Sequence, residues 1–161
     1  TSVGAWPVEA VRTLATIIDE IEASAYWRAN QRGWPTAKEH TFSNAIADAS
    51  AEIAGVLNLT ALAVYTETGR SVALVSGHRP SANIVGFSRH QRVLNRMALY
   101  WGVRPVLGEW VKGVAGVVEQ AEREMLRNGL VKSGDDIGIT FGMVIDKEPF
   151  QTNVLKLWKV R

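Results

Sequence analysis

Four short apolar runs, at residues 62–65, 84–87, 103–107 and 137–141, alternate with segments whose apolar residues recur at helical spacing. That alternation constrains the fold more than any other feature of the chain. Strands written as near-continuous apolar runs are buried on both faces, and helices between them supply the crossovers of a parallel sheet. The expected fold class is α/β, a three-layer αβα sandwich around a mostly parallel five-stranded sheet. The fifth strand, residues 154–160, follows its predecessor after the polar turn Asp146-Lys-Glu-Pro149, which is too short for a crossover helix. It is therefore expected to run antiparallel at an edge. Pro105 suggests that the third strand ends there or lies at an edge.

Pro7 followed by Val8, Val11, Leu14, Ile18, Ile21 and Ala25 predicts a helix with proline in its first turn and a one-sided apolar stripe that must pack on something. Gly33-Trp34-Pro35-Thr36 reads as a short linker. A second helix over residues 41–57 places Phe42, Ile46, Ala49, Ile53 and Val56 on one face. A third helix is expected near residues 70–77. Ser88-Arg-His-Gln91 reads as a capping box opening a helix that runs to about Tyr100. A long helix over 109–128 turns Val114, Val118, Ala121 and Met125 inward, with Asn128-Gly129 as its stop. No internal repeat or low-complexity segment occurs.

With 161 residues, 47% hydrophobic and 21% charged, the chain has the makeup of one ordered α/β domain. Its 18 basic and 16 acidic residues are scattered, so neither a nucleic-acid stripe nor a membrane-surface helix is indicated. No run approaches the length of a membrane span, and the N-terminus lacks a basic-then-apolar leader. The absence of cysteine excludes disulfides and thiolate chemistry and fits a cytoplasmic protein. The first residue is Thr1 rather than Met, as expected of a piece of something longer.

The chemistry concentrates in one turn. The run 62–65 leads directly into Thr66-Glu67-Thr68-Gly69-Arg70-Ser71 and then into a helical pattern. Small hydroxyl residues at a helix N-terminus offer backbone N–H groups, side-chain donors and the positive end of a helix dipole, which together hold a phosphate without a metal. The same hydroxyls serve equally well as plain helix caps. Neither a P-loop nor a dinucleotide-binding glycine turn is present. His40, His78 and His90 fall in different elements and read as surface or turn residues. Asp135-Asp136 reads as a turn pair, and Trp101 and Trp158 as sheet or interface packing. Trp110, at a helix start, could line a pocket. No nucleophile, base and oxyanion site assembles, so no catalytic residue and no metal ligand is expected.

In this order of elements the chain resembles the C-terminal part of pyruvate kinase. The resemblance rests on Pro7-Val-Glu-Ala-Val11, Thr66-Glu-Thr-Gly-Arg-Ser71, His78-Arg-Pro80, Leu99-Tyr-Trp-Gly-Val103, Ser133-Gly-Asp135 and Thr152-Asn153, in the family's order and spacing. It implies that residues 1–35 are the last helix of the catalytic barrel with a connector, and that 36–161 are the C-terminal domain. It also implies that the barrel, with its magnesium, potassium and phosphoenolpyruvate ligands, lies outside this chain, which would then hold no cofactor and be inactive alone. Such a domain binds allosteric effectors and builds part of a tetramer. A dimer of C-terminal domains and contact with the barrel of the same polypeptide are therefore expected.

The resemblance places effector phosphate on Thr66, Thr68, Gly69, Arg70 and Ser71, with Trp110 and Lys147 as further pocket residues. Three departures matter. Glu67 stands where effector-responsive animal forms have lysine, Val117 where an arginine is expected, and Asp146-Lys147-Glu148-Pro149 where a glycine-rich loop is expected. A carboxylate facing a phosphate at an effective dielectric near 20 costs on the order of a few kcal/mol, enough to erase micromolar affinity. Fructose 1,6-bisphosphate is thus expected to bind weakly or not at all, which leaves a monophosphate such as AMP, ribose 5-phosphate or glucose 6-phosphate. The alternative is a free-standing αβα enzyme or binding protein acting on a phosphorylated small molecule.

Overall fold

The computed structural model describes residues 3–30, 41–109, 111–143 and 151–161. The expected linker 33–36, His40, Trp110 and the turn 146–149 with Lys147 lie outside the described residues. The chain divides into two compact units, Thr1–Arg32 and Gly33–Arg161.

In the first unit, α1 (Pro7–Ala23) starts with proline in its first turn, and α2 (Ala25–Asn30) follows at once. The single helix expected to reach Ala25 is interrupted at Ser24, whose extended backbone (ψ 149°) leaves the helical path. Its hydroxyl donates to the Ile21 carbonyl at 2.6 Å and accepts the Trp27 N–H at 3.1 Å, so one side chain closes α1 and opens α2. The stripe Val8, Val11, Leu14, Ile18 and Ile21 is 49–62% exposed, and no residue of α1 is buried.

The second unit is the αβα sandwich. Its elements in chain order are α3 (Phe42–Val56), β1 (Ala61–Tyr65), α4 (Arg70–Gly77), β2 (Asn83–Ser88), α5 (Gln91–Met97), β3 (Val103–Leu107), α6 (Gly113–Arg127), β4 (Asp136–Phe141) and β5 (Val154–Lys159). The sheet runs β3-β2-β1-β4-β5. The first four strands are parallel and β5 pairs antiparallel with β4 at an edge, as the sequence predicts. Alternation along β1 sorts the two cores. Leu62 and Val64 face α3, α4 and α5 beside Ala54, Val72, Val75, Ile84, Leu94 and Met97. Ala61 and Ala63 face α6 beside Phe87, Val118, Ala121, Met125, Ile137 and Ile139.

Three elements depart from the sequence reading. The buried residues of α3 are Ala47, Ser50 and Ala54, while Phe42 (65%) and Val56 (71%) stay exposed. Small side chains at this spacing let α3 lie close on its neighbours, and the larger residues are displaced to its flanks. Ser88 is the last residue of β2 and not a helix cap, because its carbonyl accepts the Gly108 N–H at 3.0 Å; His90 takes the N-cap position of α5, which ends at Met97. That same bond carries the extended course of β3 past Leu107. Consequently α6 starts at Gly113 rather than near Glu109, and Val114 is 37% exposed while Val117 turns inward. The stop of α6 agrees with expectation. Gly129 (φ 65°) and Leu130 return their N–H groups to Leu126 and Met125, a Schellman closure.

Gly138 of β4 lies beside Leu62 of β1 in the ladder, and the absence of a side chain there makes room for the leucines that cover it. A Cβ there would lie 2.6 Å from Leu62 Cδ2 and 3.3 Å from Leu59 Cδ1, both on buried residues. Gly138→Ala is expected to destabilise the domain by about 1–3 kcal/mol, as overpacking of a filled core does. Urea unfolding followed by tryptophan fluorescence measures it; an unchanged midpoint would show that Leu62 gives way freely.

Candidate functional site

The chain steps outward from β1 to β2 to β3, then returns through α6 to the opposite side of β1. The switch point therefore lies at the carboxyl ends of β1 and β4, the crevice where ligands bind in open α/β sheets. Two cavities open there, one on each face of the sheet, and Tyr65, Thr66 and Glu67 line both.

The first cavity, about 180 Å³, contains the turn expected from sequence. Thr66 extends the ladder by donating its N–H to the Phe87 carbonyl at 2.9 Å, while its hydroxyl accepts the Gly69 N–H at 2.9 Å. Gly69 is the N-cap of α4 with φ 83°, a conformation open to glycine at little cost. The Thr68 hydroxyl accepts the Arg70 N–H at 3.4 Å. Both threonines thus act as caps, yet a hydroxyl that accepts still has its own proton to donate. By helix geometry the N–H groups of Ser71 and Val72 have no acceptor within α4. The Ser71 hydroxyl meets that of Thr152 at 2.6 Å, which ties the turn to the segment leading into β5.

Thr41, Ser43, Gln151 and Thr152 form the rest of the wall, and sequence reasoning did not assign them to the site. Thr41 is the N-cap of α3, its hydroxyl accepting the Asn44 N–H. Two helix N-termini, those of α3 and α4, therefore open on one cavity together with Arg70 and six serine and threonine side chains. Only the stretch Thr152-Asn153, part of the family resemblance, fell on this wall in the sequence reading.

Glu67 sits on the rim with two basic partners. One carboxylate oxygen accepts from Arg89 Nε at 3.1 Å and lies 2.9 Å from His90 Nε2. The bare negative charge expected at position 67 is therefore partly countered from the turn between β2 and α5. His78 is likewise engaged, 2.9 Å from Asp48. Among the described residues no group of three or more His, Cys, Asp or Glu side chains converges to hold a metal ion.

The second cavity, about 230 Å³, lies on the α6 face. Its floor is the Tyr65 ring stacked on Phe87, with centroids 4.7 Å apart and planes 10° from parallel. The Tyr65 hydroxyl donates to the Val117 carbonyl at 3.0 Å. Val117, where the resemblance expects an arginine, lines this cavity from α6.

An αβα domain whose switch point carries a hydroxyl-lined turn is the class that fold and site define. Residues 44–158 match the family model described as the alpha/beta domain of pyruvate kinase. The chain is 28% identical over 160 residues to pyruvate kinase of Lactococcus lactis, covering 98% of this chain and 31% of that protein. It is 31% identical over 157 residues to that of Staphylococcus epidermidis, covering 98% and 27%. Among solved structures it resembles Cryptosporidium parvum pyruvate kinase in complex with ADP, at a TM-score of 0.69 and 22% identity over 78% of this chain and 25% of that one. This chain belongs to the pyruvate kinase C-terminal α/β domain family and spans roughly a third or less of the length of these relatives.

Burial pushes the pKa of the Tyr65 phenol well above its ordinary range, opposed by the nearby Arg123 charge. Below about pH 10 the phenol is neutral in both folded and unfolded chains and its contribution is complete. Above that value the unfolded chain ionises first, so stability falls as pH rises. Tyr65→Phe should cost about 1 kcal/mol near neutrality through the lost hydrogen bond. That deficit should shrink above about pH 10. Thermal melts of both forms across this range check the sign; a constant difference would refute it.

Proposed function

We propose that this chain is the regulatory and assembly domain of a pyruvate kinase and that its hydroxyl-lined cavity binds the phosphate of an effector. The observation that supports this most is the convergence of two helix N-termini, six serine and threonine side chains and Arg70 on one cavity of about 180 Å³. Each helix end adds partial positive charge and N–H donors, the hydroxyls add further donors, and the guanidinium adds a full charge. Thr66, Thr68, Gly69, Arg70 and Ser71 form the phosphate seat. Phosphoryl transfer between phosphoenolpyruvate and ADP belongs to the full-length enzyme, whose magnesium and potassium sites sit in its barrel. In this reading the exposed stripe of α1 packs against that barrel, and the described residues contain no helix long and apolar enough to cross a membrane.

Inorganic phosphate titrated into the chain should shift amide resonances of residues 66–72, and Arg70→Ala should weaken the binding about tenfold, or about 1.4 kcal/mol. Glu67→Lys should strengthen it by a similar factor, because it replaces a carboxylate at the rim with an ammonium group. Fructose 1,6-bisphosphate should bind the unmodified chain no better than inorganic phosphate. Calorimetry on the three forms reads all of this. Shifts confined to residues elsewhere would overturn the assignment.

Self-association is proposed through the outer flank of β5. Leu157 is 41% exposed there and Trp158 only partly covered, its indole N–H held by Glu122 at 3.0 Å. Lys156 and Lys159 carry the edge protection usual for an unpaired strand. A two-fold pairing of β5 with its copy predicts a dimer by light scattering, also for a version starting at Thr36. Monomers of both at high micromolar concentration would exclude it.

A further inference from the structure

We propose that Pro105 closes the β3 edge of the sheet to strand addition, so that no second chain extends the sheet on that side. The sheet ends at β3 on one flank and at β5 on the other. An edge strand is a template for another chain unless something blunts it, and an added strand binds through main-chain hydrogen bonds. The two flanks differ in what they offer.

The ladder fixes which groups point outward. Ile84 donates its N–H to the Gly102 carbonyl at 3.3 Å, and Gly108 donates to the Ser88 carbonyl at 3.0 Å. Ile84, Gly86 and Ser88 stand opposite Val103, Pro105 and Leu107. In a parallel pair this turns the backbone groups of residues 102, 104, 106 and 108 toward β2. Those of Val103, Pro105 and Leu107 turn away from it. Proline at 104 or 106 would cost the ladder a donor; at 105 it removes one from the outer row alone. The Val103 N–H is engaged as well, donating to the Tyr100 carbonyl at 3.4 Å. Among the described residues the outer row therefore keeps three carbonyls and one uncommitted N–H, that of Leu107. An added strand needs donors and acceptors in alternation, and this row lacks the donors.

β5 is the contrast. Val160 donates to the Asp135 carbonyl at 2.9 Å, which sets Trp158 and Lys156 in turn against Ile137 and Ile139. The backbone groups of Leu155, Leu157 and Lys159 then face outward, and none of the three is proline. Closure of β3 does not depend on whether β5 pairs with its copy. If β5 does pair, the two-fold sheet ends at both outer β3 strands and does not grow into a filament.

Pro105→Thr restores the missing N–H with a residue suited to strands. In light scattering of the 161-residue chain it should give about double the mass of the parent or more, whether the parent is a monomer or a dimer. Adding Leu107→Pro returns the outer row to a single donor and should restore the parent's mass. A Pro105→Thr chain that is folded by circular dichroism and unchanged in mass overturns the proposal. Thermal melts of two further single variants test the outward row by itself. Leu107→Pro should lower the midpoint less than Val106→Pro, which takes a donor from the ladder to β2; equal losses overturn the assignment. A monomeric parent removes the β5 reading and leaves the closure of β3 to be decided by the variants alone.

Discussion

Thr66 joins the two halves of this architecture. Its backbone N–H completes the β1–β2 ladder on the Phe87 carbonyl, while its hydroxyl takes the Gly69 N–H and so begins α4. A strand edge and a helix start are fixed by one residue, 8% exposed, with no slack between them. Everything proposed for the crevice follows from that rigidity. The turn cannot drift away from the sheet, so the donors at the start of α4 stay aimed at the cavity. Glu67, the next residue, is held between the two faces and leans toward Arg89 and His90. A valine at position 66 would keep the ladder bond and lose the cap, leaving a buried N–H without its acceptor.

The sheet was legible because its strands are short, apolar and bounded by turn residues. β3 agreed to the residue, β1, β4 and β5 differ by one residue at one end, and β2 is longer by one residue at each end. Helix α4 was legible for a local reason, since Gly69 supplies the left-handed turn that starts it. The face of α3 was not. Residue size favours Ile and Phe over Ala and Ser, whereas the packing favours whichever residues permit close approach. The start of α6 was equally hidden, because it depends on the bond from Gly108 to Ser88, a long-range contact that no window of sequence displays.

The candidate site divides along the same line. Residues 66–71 are contiguous, so their chemistry could be read from the chain. The opposite wall comes from Thr41 and Ser43 before β1 and from Gln151 and Thr152 before β5, and only the fold brings these segments together. Val117 shows the value of the combination. Sequence marks it as a departure from an expected arginine, and the structure turns that departure into part of an apolar wall.

The strand order has a consequence for how such a chain comes off the ribosome. β1 pairs with β2 soon after both are made, but its other neighbour, β4, lies beyond two further crossovers, with Ala61 opposite Ile137. Until synthesis passes Phe141, the central strand of the sheet presents one row of unsatisfied N–H and C=O groups beside apolar side chains. Such an edge is a template for pairing with another chain. The slow step in forming this sheet is the late, long-range closure of its centre, and the nascent domain is exposed to aggregation until that closure occurs.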